Sequence, residues 1–324
     1  MGKHKAYLGV DVGSVSTNLV LIDPETDRVL TKLYLRTNGD PIGTVVKGMQ
    51  KLAEAGEWEV VGVGTTGSGR QLAGVMLGAD VVKNEITAHA VAALKHNPKV
   101  STVIEIGGQD SKIILIRSGV VSDFAMNTIC AAGTGSFLDQ QAMRLGIDIR
   151  DFGRIALQAR HPVRIAGRCT VFAESDMIHK QQLGHSIPDI LAGLCEAMVR
   201  NYLSNVGKGK SIEPAVLFQG GVAANQGIRK ALEKALGLEV EVPINYDVMG
   251  AFGAAVLAKE RLQATGDKTR FGGFAVARSS FDSFSWECED CPNNCEIVQI
   301  RRDGRPLACW GSRCGKHQVS SDSA

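Results

Sequence analysis

The sequence predicts an α/β protein in which sheets are covered by helices. Apolar runs typical of strands alternate with segments of helical spacing along most of the chain, which is the pattern of that class. A hairpin followed by a strand and helices occurs twice, once from about residue 5 and again from about residue 102. This recurrence indicates a weak internal repeat, and a C-terminal stretch of different texture follows it.

The first half opens with two apolar runs around a Gly/Ser turn over residues 5–23, which predicts a β-hairpin. Periodicity then assigns the remaining elements of this half. They are a helix over 40–56, a strand over 59–67, and helices over 69–78 and 85–95.

The second half again begins with strands around a glycine turn and continues with helices. The predicted strands are 102–108, 111–116, 119–126 and 215–221. The predicted helices are 133–145, 172–183, 187–205, 224–236 and 247–264. A helix therefore closes the α/β part of the chain.

The texture changes beyond residue 266. Residues 266–285 are rich in Gly and Ser and lack periodicity, which is typical of a linker. A cysteine-rich tail follows, and residues 320–324 are expected to fray. The predicted division is a first lobe of 1–95 plus 246–265, a second lobe of 96–245, and a linker with a cysteine-rich tail over 266–324.

Charge and hydropathy exclude several classes of partner. The net charge is +2, from 36 basic and 34 acidic residues, so we expect neither a nucleic-acid surface nor a polybasic membrane patch. No apolar run approaches the roughly 20 residues that span a bilayer, and no apolar stretch precedes the first strand as a signal peptide requires. A cytoplasmic protein is the expectation.

Three glycine turns follow apolar strands and share one chemistry. They span Asp11–Thr17, Glu105–Lys112 and Phe218–Asn225. Glycines let backbone amides approach phosphate oxygens closely, and hydroxyls add donors. The carboxylates of Asp11 and Asp110 could hold Mg²⁺ through water. One such turn alone is usually just a hairpin, but three in succession favour a nucleotide site.

The order of these turns resembles the superfamily of actin, sugar kinases and heat-shock chaperones, with its phosphate-one, phosphate-two and adenosine loops. The resemblance covers about residues 5–265. It implies an actin-like ATPase fold, in which two ribonuclease-H-like lobes clasp ATP and Mg²⁺, here with a small Cys-rich C-terminal appendix. It also implies that the helix at 247–264 packs on the first lobe.

The same resemblance implies which residues contact nucleotide. Phosphate contacts fall on Gly13, Ser14, Ser16 and Thr17, then on Gly107, Gly108, Gln109 and Asp110, with Gly133 and Gly135 in a nearby GTG turn. Adenosine contacts fall on Gly220, Gly221 and Asn225. Gln109, Asp110 and Asp11 are the catalytic candidates, because phosphoryl transfer depends mainly on positioning the water and the Mg²⁺ shell.

Two cysteines of the second lobe, Cys130 and Cys169, each precede a predicted helix. A thiolate at that end of a helix is stabilised by the helix dipole, and Arg168 adds positive charge beside Cys169. Their separation, C-x₃₈-C, has no metal signature of its own. Small buried thiols are the alternative.

The segments around them resemble the activator family of 2-hydroxyacyl-CoA dehydratases, whose relatives include ATPase subunits of benzoyl-CoA reductases and reductases of double-cubane cluster proteins. The matching segments are NTICAAGTGSFLDQQA, GRCTVFAESDMIHKQQ, NEITAHA, EIGGQDSK and FQGGVAAN. The resemblance implies a homodimer that shares one [4Fe–4S] cluster, with Cys130 and Cys169 as ligands from each chain. Glu105 departs from the family pattern, in which aspartate is commoner, and this puts its Mg²⁺ role in doubt.

The cysteine count agrees with a shared cluster. A [4Fe–4S] cluster usually takes four thiolates, and two chains would supply them around a two-fold axis. Cys195 lies in an apolar helical segment and is expected to be buried. The implied function is ATP-dependent electron transfer to a dehydratase, an aryl-CoA reductase or a double-cubane protein, with ferredoxin or flavodoxin as donor. A small-molecule kinase and a nucleotide-gated metal-site sensor remain alternatives.

The tail carries five further cysteines at metal-type spacing. They form Cys288-x₂-Cys291-x₃-Cys295 and Cys309-x₄-Cys314. Two knuckles of this kind can supply four thiolates to Zn²⁺, and a second iron–sulfur cluster is the rival interpretation. Reduced thiols without metal are the third. His317 is expected to be a surface group, whereas helical packing would explain His89.

Overall fold

The computed structural model describes residues 3–127 and 130–317 and divides the chain into two compact units. Unit 1 comprises Met1–Ala88 and Gly250–Ala324, and unit 2 comprises His89–Met249. Each unit has its own sheet and its own apolar core. The predicted fraying of residues 320–324 lies outside the described residues.

Unit 1 opens with the predicted hairpin and the helices that cover it. Its elements are β1 (His4–Val12), β2 (Ser16–Ile22), β3 (Val29–Arg36), α1 (Pro41–Ala55), β4 (Trp58–Thr66), α2 (Arg70–Leu77) and β5 (Val81–Val82). The next helix, α3 (Glu85–His96), begins in unit 1 and continues into unit 2. Asp40 caps α1 by accepting a hydrogen bond from the Gly43 amide at 2.8 Å, and Pro41 occupies the first turn. Aspartate is a preferred N-cap residue, and proline is common at the first helical position.

Unit 2 contains the second set of strands and helices. It has β6 (Thr102–Ile106), β7 (Ser111–Arg117), β8 (Val120–Asn127), α4 (Gly135–Leu145), α5 (Ile149–Ala156), α6 (Thr170–Gln182), α7 (Ile187–Asn205), β9 (Val216–Gln219), α8 (Gln226–Leu236) and β10 (Val240–Glu241). Long helix α7 buries ten of its residues and forms the centre of this unit.

The two five-stranded sheets have the same topology. The strand order is β3-β2-β1-β4-β5 in unit 1 and β8-β7-β6-β9-β10 in unit 2. In each, the first three strands are antiparallel and the last two run parallel to the central strand. The predicted α/β class and the internal repeat are confirmed, since each half builds an actin-like lobe.

The chain returns to unit 1 through α9 (Met249–Thr265) and ends in a third sheet. That sheet consists of β11 (Phe281–Glu287), β12 (Glu296–Arg302) and β13 (Arg305–Trp310) in sequential antiparallel order. Among the residues that the structure describes, no helix combines the length and apolar character needed to cross a bilayer.

Residues 266–285 are not a free linker, and that prediction is corrected. Asp80 accepts hydrogen bonds from the Thr269 hydroxyl and the Arg270 amide, both at 2.8 Å. Further on, Gln50 of α1 donates to the Ala277 carbonyl at 2.8 Å, beside the buried side chain of Val276. These contacts fasten the segment to unit 1 although its sequence lacks periodicity.

Helix α9 lies directly on the sheet of unit 1, which confirms the expected packing of the closing helix. Gly9 of β1 and Gly64 of β4 face it without side chains. A Cβ atom at Gly9 would overlap the carbonyl oxygen of Ala251, and one at Gly64 would overlap that of Ala254. The two glycines therefore set the distance between helix and sheet.

A methyl group at Gly9 tests this close approach. We expect Gly9→Ala to lower the free energy of unfolding by about 1–3 kcal/mol, because the helix backbone has to move away. Gly272→Ala is the matched control in unit 1, where an added Cβ would meet no heavy atom within 4 Å. Thermal denaturation of both variants measures the difference, and equal melting temperatures would contradict the packing.

Candidate functional site

The phosphate-one turn of unit 1 joins β1 to β2. The Gly13 amide donates to the Ser16 carbonyl at 2.9 Å, and the Thr37 hydroxyl donates to the Gly13 carbonyl at 2.9 Å. Thr17 is fully buried with its hydroxyl 3.0 Å from that of Thr37, whereas Ser14 is exposed. Ser14 and half-buried Ser16 can therefore meet a ligand, and Thr17 supports the turn from below.

A second glycine turn of unit 1 packs against the end of β1. Gly67 has a φ of +91°, and its missing side chain leaves room for the Val12 carbonyl. The Gly69 amide and the Ser68 hydroxyl donate to the same oxygen at 2.8 and 3.2 Å. The sequence predicted only a strand over 59–67, although its Thr-Thr-Gly-Ser-Gly end signals a turn. This turn lies beside the half-buried Asp11.

The phosphate-two turn of unit 2 is held by the start of α4. The amides of Gly135 and Ser136 donate to the carbonyls of Gly107 and Gly108, both at 2.8 Å. The Ser136 hydroxyl donates to the Gly108 carbonyl as well. These bonds use the Gly135 amide to support the turn, while Gln109 at its tip is exposed.

A buried ion pair lies beneath this turn. The Lys112 ammonium group contacts Glu105 Oε2 at 3.0 Å and Asp110 Oδ2 at 2.8 Å, and the lysine side chain is 2% exposed. Glu105 thus faces a cation, which does not suit a direct ligand of Mg²⁺. Asp110 contacts the same cation but is 31% exposed, and its role in the Mg²⁺ shell stays a prediction. Lys112 escaped prediction because a lysine in a strand usually reaches solvent.

The ends of β6 and β9 bring a further polar pair beside Glu105. Gln219 is its register partner on β9, and its amide lies 2.8 Å from His89 Nδ1. Burial, and then the positive charge of Lys112, lower the pKa of His89 to about 3. His89 is therefore neutral at physiological pH. Gln219 Oε1 is buried without a hydrogen-bond partner among the described residues.

The adenosine turn follows β9. Gly220 has a φ of +91°, and a Cβ there would lie 2.5 Å from the Ile106 carbonyl and 2.6 Å from Glu105 Oε1. Its amide donates to the Tyr246 carbonyl at 2.8 Å. Gly220 therefore allows this turn to close against the end of β6, as only glycine can. Gly221 begins a short 3₁₀ turn after it.

Asn225 caps α8 with its side chain. Its Oδ1 accepts from the amides of Gly227 and Ile228 at 2.9 and 3.1 Å. Its Nδ2 is buried and has no hydrogen-bond partner among the described residues. The oxygen is therefore committed to the helix, and a nucleotide contact through this residue stays a prediction.

The backbone of Cys130 is clamped by one asparagine. Asn127 Nδ2 donates to the Cys130 carbonyl at 2.8 Å, and the Cys130 amide donates to Asn127 Oδ1 at 3.0 Å. A single 3₁₀ turn, Ala131–Gly133, follows the cysteine, and α4 begins only at Gly135. The expectation that Cys130 directly precedes a long helix is corrected, because that helix start binds the phosphate-two turn instead.

Cys169 caps α6 as the sequence predicted, and its carbonyl accepts from the Ala173 amide at 3.0 Å. Asn201 of α7 connects the two cysteine segments. Its Nδ2 donates to the Gly167 carbonyl at 2.6 Å and lies 3.9 Å from Cys130 Sγ. Both thiols are half-buried and free. No sequence signal distinguished Asn201 from other polar residues of a long helix.

Apolar side chains are exposed near these thiols. Val171 and Phe172, in the first turn of α6 after Cys169, are each 65% exposed. Adjacent exposed apolar side chains of this kind are typical of an interaction surface. Cys195 is buried as expected, and burial raises the pKa of its thiol.

The tail places its cysteines in different surroundings. Cys288 and Cys309 are buried, Cys291 and Cys295 are half-buried, and Cys314 is exposed. Within the described residues, the potential metal-binding group found in the tail joins only one of the five, Cys288, with Asp290 and His317. His317 is 28% exposed, so its predicted surface position is confirmed, but its ring also packs edge-on to Trp286 at 5.9 Å.

Comparison with known proteins identifies the family. The model of the BadF/BadG/BcrA/BcrD ATPase family matches residues 8–258. The chain belongs to that family. The match ends within α9, so the third sheet lies outside the region that defines these ATPases.

The alignments with two dehydratase activators cover nearly the whole length of each relative. The (R)-2-hydroxyglutaryl-CoA dehydratase activating ATPase of Acidaminococcus fermentans is 34% identical over 257 residues, 78% of this chain and 97% of that protein. The 2-hydroxyisocaproyl-CoA dehydratase activator of Clostridioides difficile is 34% identical over 254 residues, 78% of this chain and 94% of that protein.

A solved structure has the same fold. The activator of the 2-hydroxyisocaproyl-CoA dehydratase from Clostridium difficile, with bound ADPNP, superposes with a TM-score of 0.73 at 31% identity. The alignment covers 81% of this chain and 97% of that one. This confirms the predicted actin-like ATPase fold and the resemblance to dehydratase activators.

The buried His89 predicts a pH dependence of stability. Its pKa of about 3 in the folded chain lies below the ordinary value of 6.5, so the unfolded chain binds the proton more readily. Stability should therefore fall as pH decreases from about 6.5 towards 3, with a slope of up to about 1.4 kcal/mol per pH unit. His89→Gln, which cannot take up this proton, should show a shallower slope.

Urea-induced unfolding at about pH 7 and about pH 5 measures this difference. The exposed His185→Gln variant is the matched control in the same unit, and we expect it to keep the wild-type slope. Equal slopes for wild type and His89→Gln would show that His89 is not held neutral.

Proposed function

We propose that this chain is an ATP-dependent activator that delivers low-potential electrons from an iron–sulfur cluster to an acceptor enzyme. The observation that carries the proposal is the short connection between two sites in unit 2. The amides of Gly135 and Ser136 bind the phosphate-two turn, and Cys130 lies only five residues before Gly135 along the same segment. Membership of an ATPase family whose relatives are dehydratase activators supports it.

In this proposal, the glycine turns bind ATP. Exposed or half-buried residues of the turns contact the phosphates, while Thr17 and Gly135 support the turns from behind. The proposed phosphate ligands are Gly13, Ser14, Ser16, Gly107 and Gly108, and Gly220 and Gly221 approach the adenosine. Gln109 orients the attacking water, and Asp11 and Asp110 hold the Mg²⁺ hydration shell, which is the positioning that phosphoryl transfer needs.

Cys130 and Cys169 fit an iron–sulfur cluster by their donor atoms and their surroundings. Both thiols are free and accessible, each stands before a helical turn, and the amide of Asn201 lies near the Cys130 sulfur. When bound, a [4Fe–4S] cluster supplies a one-electron carrier whose potential depends on charge, hydrogen bonds and exposure. Asn201 supplies one such hydrogen bond and fixes the spacing of the two cysteine segments.

A second copy of the chain would complete the ligand set. Cys130 and Cys169 provide two thiolates, and a [4Fe–4S] cluster usually takes four. The exposed Val171 and Phe172 beside Cys169 are suited to burial against the same surface of another copy. This supports a homodimer around the cluster.

Nucleotide state would reach the thiols through α4. Loss of the γ-phosphate changes which position of the Gly107–Gly108 turn is favoured, because ATP and ADP differ in their contacts with it. The carbonyls of that turn hold the first amides of α4, so the helix start and the Cys130 segment move with them. We propose a ferredoxin or flavodoxin as donor, and a dehydratase, aryl-CoA reductase or double-cubane protein as acceptor.

Anaerobic purification of the cysteine variants tests the cluster. We expect about four irons per dimer and absorption near 400 nm in the wild type. Cys130→Ser and Cys169→Ser should lose most of the iron. Cys195→Ser, which removes a buried thiol of the same unit, should retain it. Iron that stays in both single variants, or a colourless protein that phosphorylates a small molecule, would overturn the proposal.

The same wild-type material tests the coupling. The reduction potential is titrated with ADP and with a non-hydrolysable ATP analogue, and we expect two different values because the turn position depends on the nucleotide. Identical potentials in the two nucleotide states would contradict the proposed coupling between ATP hydrolysis and electron transfer.

A further inference from the structure

The third sheet has very little apolar core of its own. Its cluster of buried residues comprises Cys288, Ile297 and Cys309, with Trp286 and Cys295 packed at the edge. Two further buried residues of the sheet, Ile300 and Ala308, do not belong to this cluster. A three-stranded sheet with so small a cluster gains little stability from its own apolar packing. Small units of this kind usually depend on a disulfide or a metal ion, and all five tail thiols are free.

Three potential ligand atoms of different kinds meet at one end of this sheet. Cys288 Sγ lies 3.5 Å from His317 Nε2 and 3.5 Å from Asp290 Oδ2, and the last two atoms are 3.3 Å apart. The three atoms thus form a nearly equilateral triangle. Cys288 is buried, while Asp290 and His317 border solvent.

The triangle has the dimensions of one face of a zinc coordination tetrahedron. Bonds of about 2.0–2.3 Å from Zn²⁺ to nitrogen, oxygen and sulfur place neighbouring ligand atoms about 3.3–3.8 Å apart. We propose that the third sheet binds one Zn²⁺ ion through Cys288, Asp290 and His317. The nitrogen and oxygen donors favour zinc over a second [4Fe–4S] cluster, which takes thiolates.

The remaining coordination position belongs to a thiol at knuckle spacing. Cys291 follows Cys288 by x₂, and Cys314 precedes His317 by x₂, which is the short spacing typical of structural zinc sites. Cys309 lies within β13, paired with Gln299 of β12, and belongs to the apolar cluster. It is therefore not a ligand in this proposal.

Contacts around the triangle hold its members in place. The Cys288 amide donates to the Cys295 carbonyl at 2.8 Å, and the His317 amide donates to Ser312 Oγ at 3.3 Å. Trp286 restricts the His317 ring from one side. Lys316 contacts Asp290 Oδ2 at 2.7 Å, and its charge offsets the anionic ligands. The ion would join the loop after β11 to the segment after β13.

Metal analysis of the full chain tests the site. We expect about one zinc per chain in the wild type, and loss of most of it in Cys288→Ser and in His317→Gln. Cys309→Ser is the matched control, because it removes a buried thiol of the same sheet that is not in the triangle. Cobalt(II) added to the metal-free chain should give a thiolate charge-transfer band that His317→Gln weakens.

Zinc that persists in both Cys288→Ser and His317→Gln would overturn the site. A loss of iron and not of zinc in these two variants would overturn it as well. The Cys130→Ser/Cys169→Ser double variant separates this inference from the proposed function, because it should lose iron and retain zinc. Limited proteolysis with and without a chelator tests the structural role. Where Cys288→Ser does not fold, the cobalt spectrum of His317→Gln decides.

Discussion

The hydrogen bonds between the start of α4 and the phosphate-two turn determine most of the geometry in unit 2. Helix starts leave their first amides unsatisfied, and here two of them bind the carbonyls of Gly107 and Gly108. The turn cannot shift without α4, and the segment from Cys130 to Thr134 leads directly into that helix. Asn127 and Asn201 then fix Cys130 on its other sides, so the Gly107–Gly108 turn and the thiol belong to one rigid connection.

The buried charge of Lys112 organises the strand ends beneath the same turn. In a low-dielectric interior a cation requires close anionic partners, and Glu105 and Asp110 provide them. The same ammonium group helps to keep His89 neutral, so that His89 can accept a hydrogen bond from Gln219. The long arm of Glu105 lets its carboxylate reach the lysine.

Local patterns predicted those elements whose faces differ clearly in polarity. The hairpin of β1 and β2 and the helix α7 were assigned from apolar periodicity, with α7 correct at both ends. Strand β3 was missed because it is a half-exposed edge strand of mixed composition. Contacts between distant parts of the chain carry no such signal. In the sequence, Lys112 looks like a surface lysine. His317 lies 29 residues from Cys288, and only the folded sheet brings these two side chains together.

The segment that follows α9 has a practical consequence for anyone who shortens this protein. The family match stops at residue 258, which invites removal of everything after the helix. Yet Val276 and Ala277 complete the apolar core of unit 1, together with Phe271 and Phe274 at its edge. Truncation after residue 265 would remove these residues from the core. Truncation after residue 279 would remove the third sheet and keep them, at the loss of Phe281, which also packs against that core.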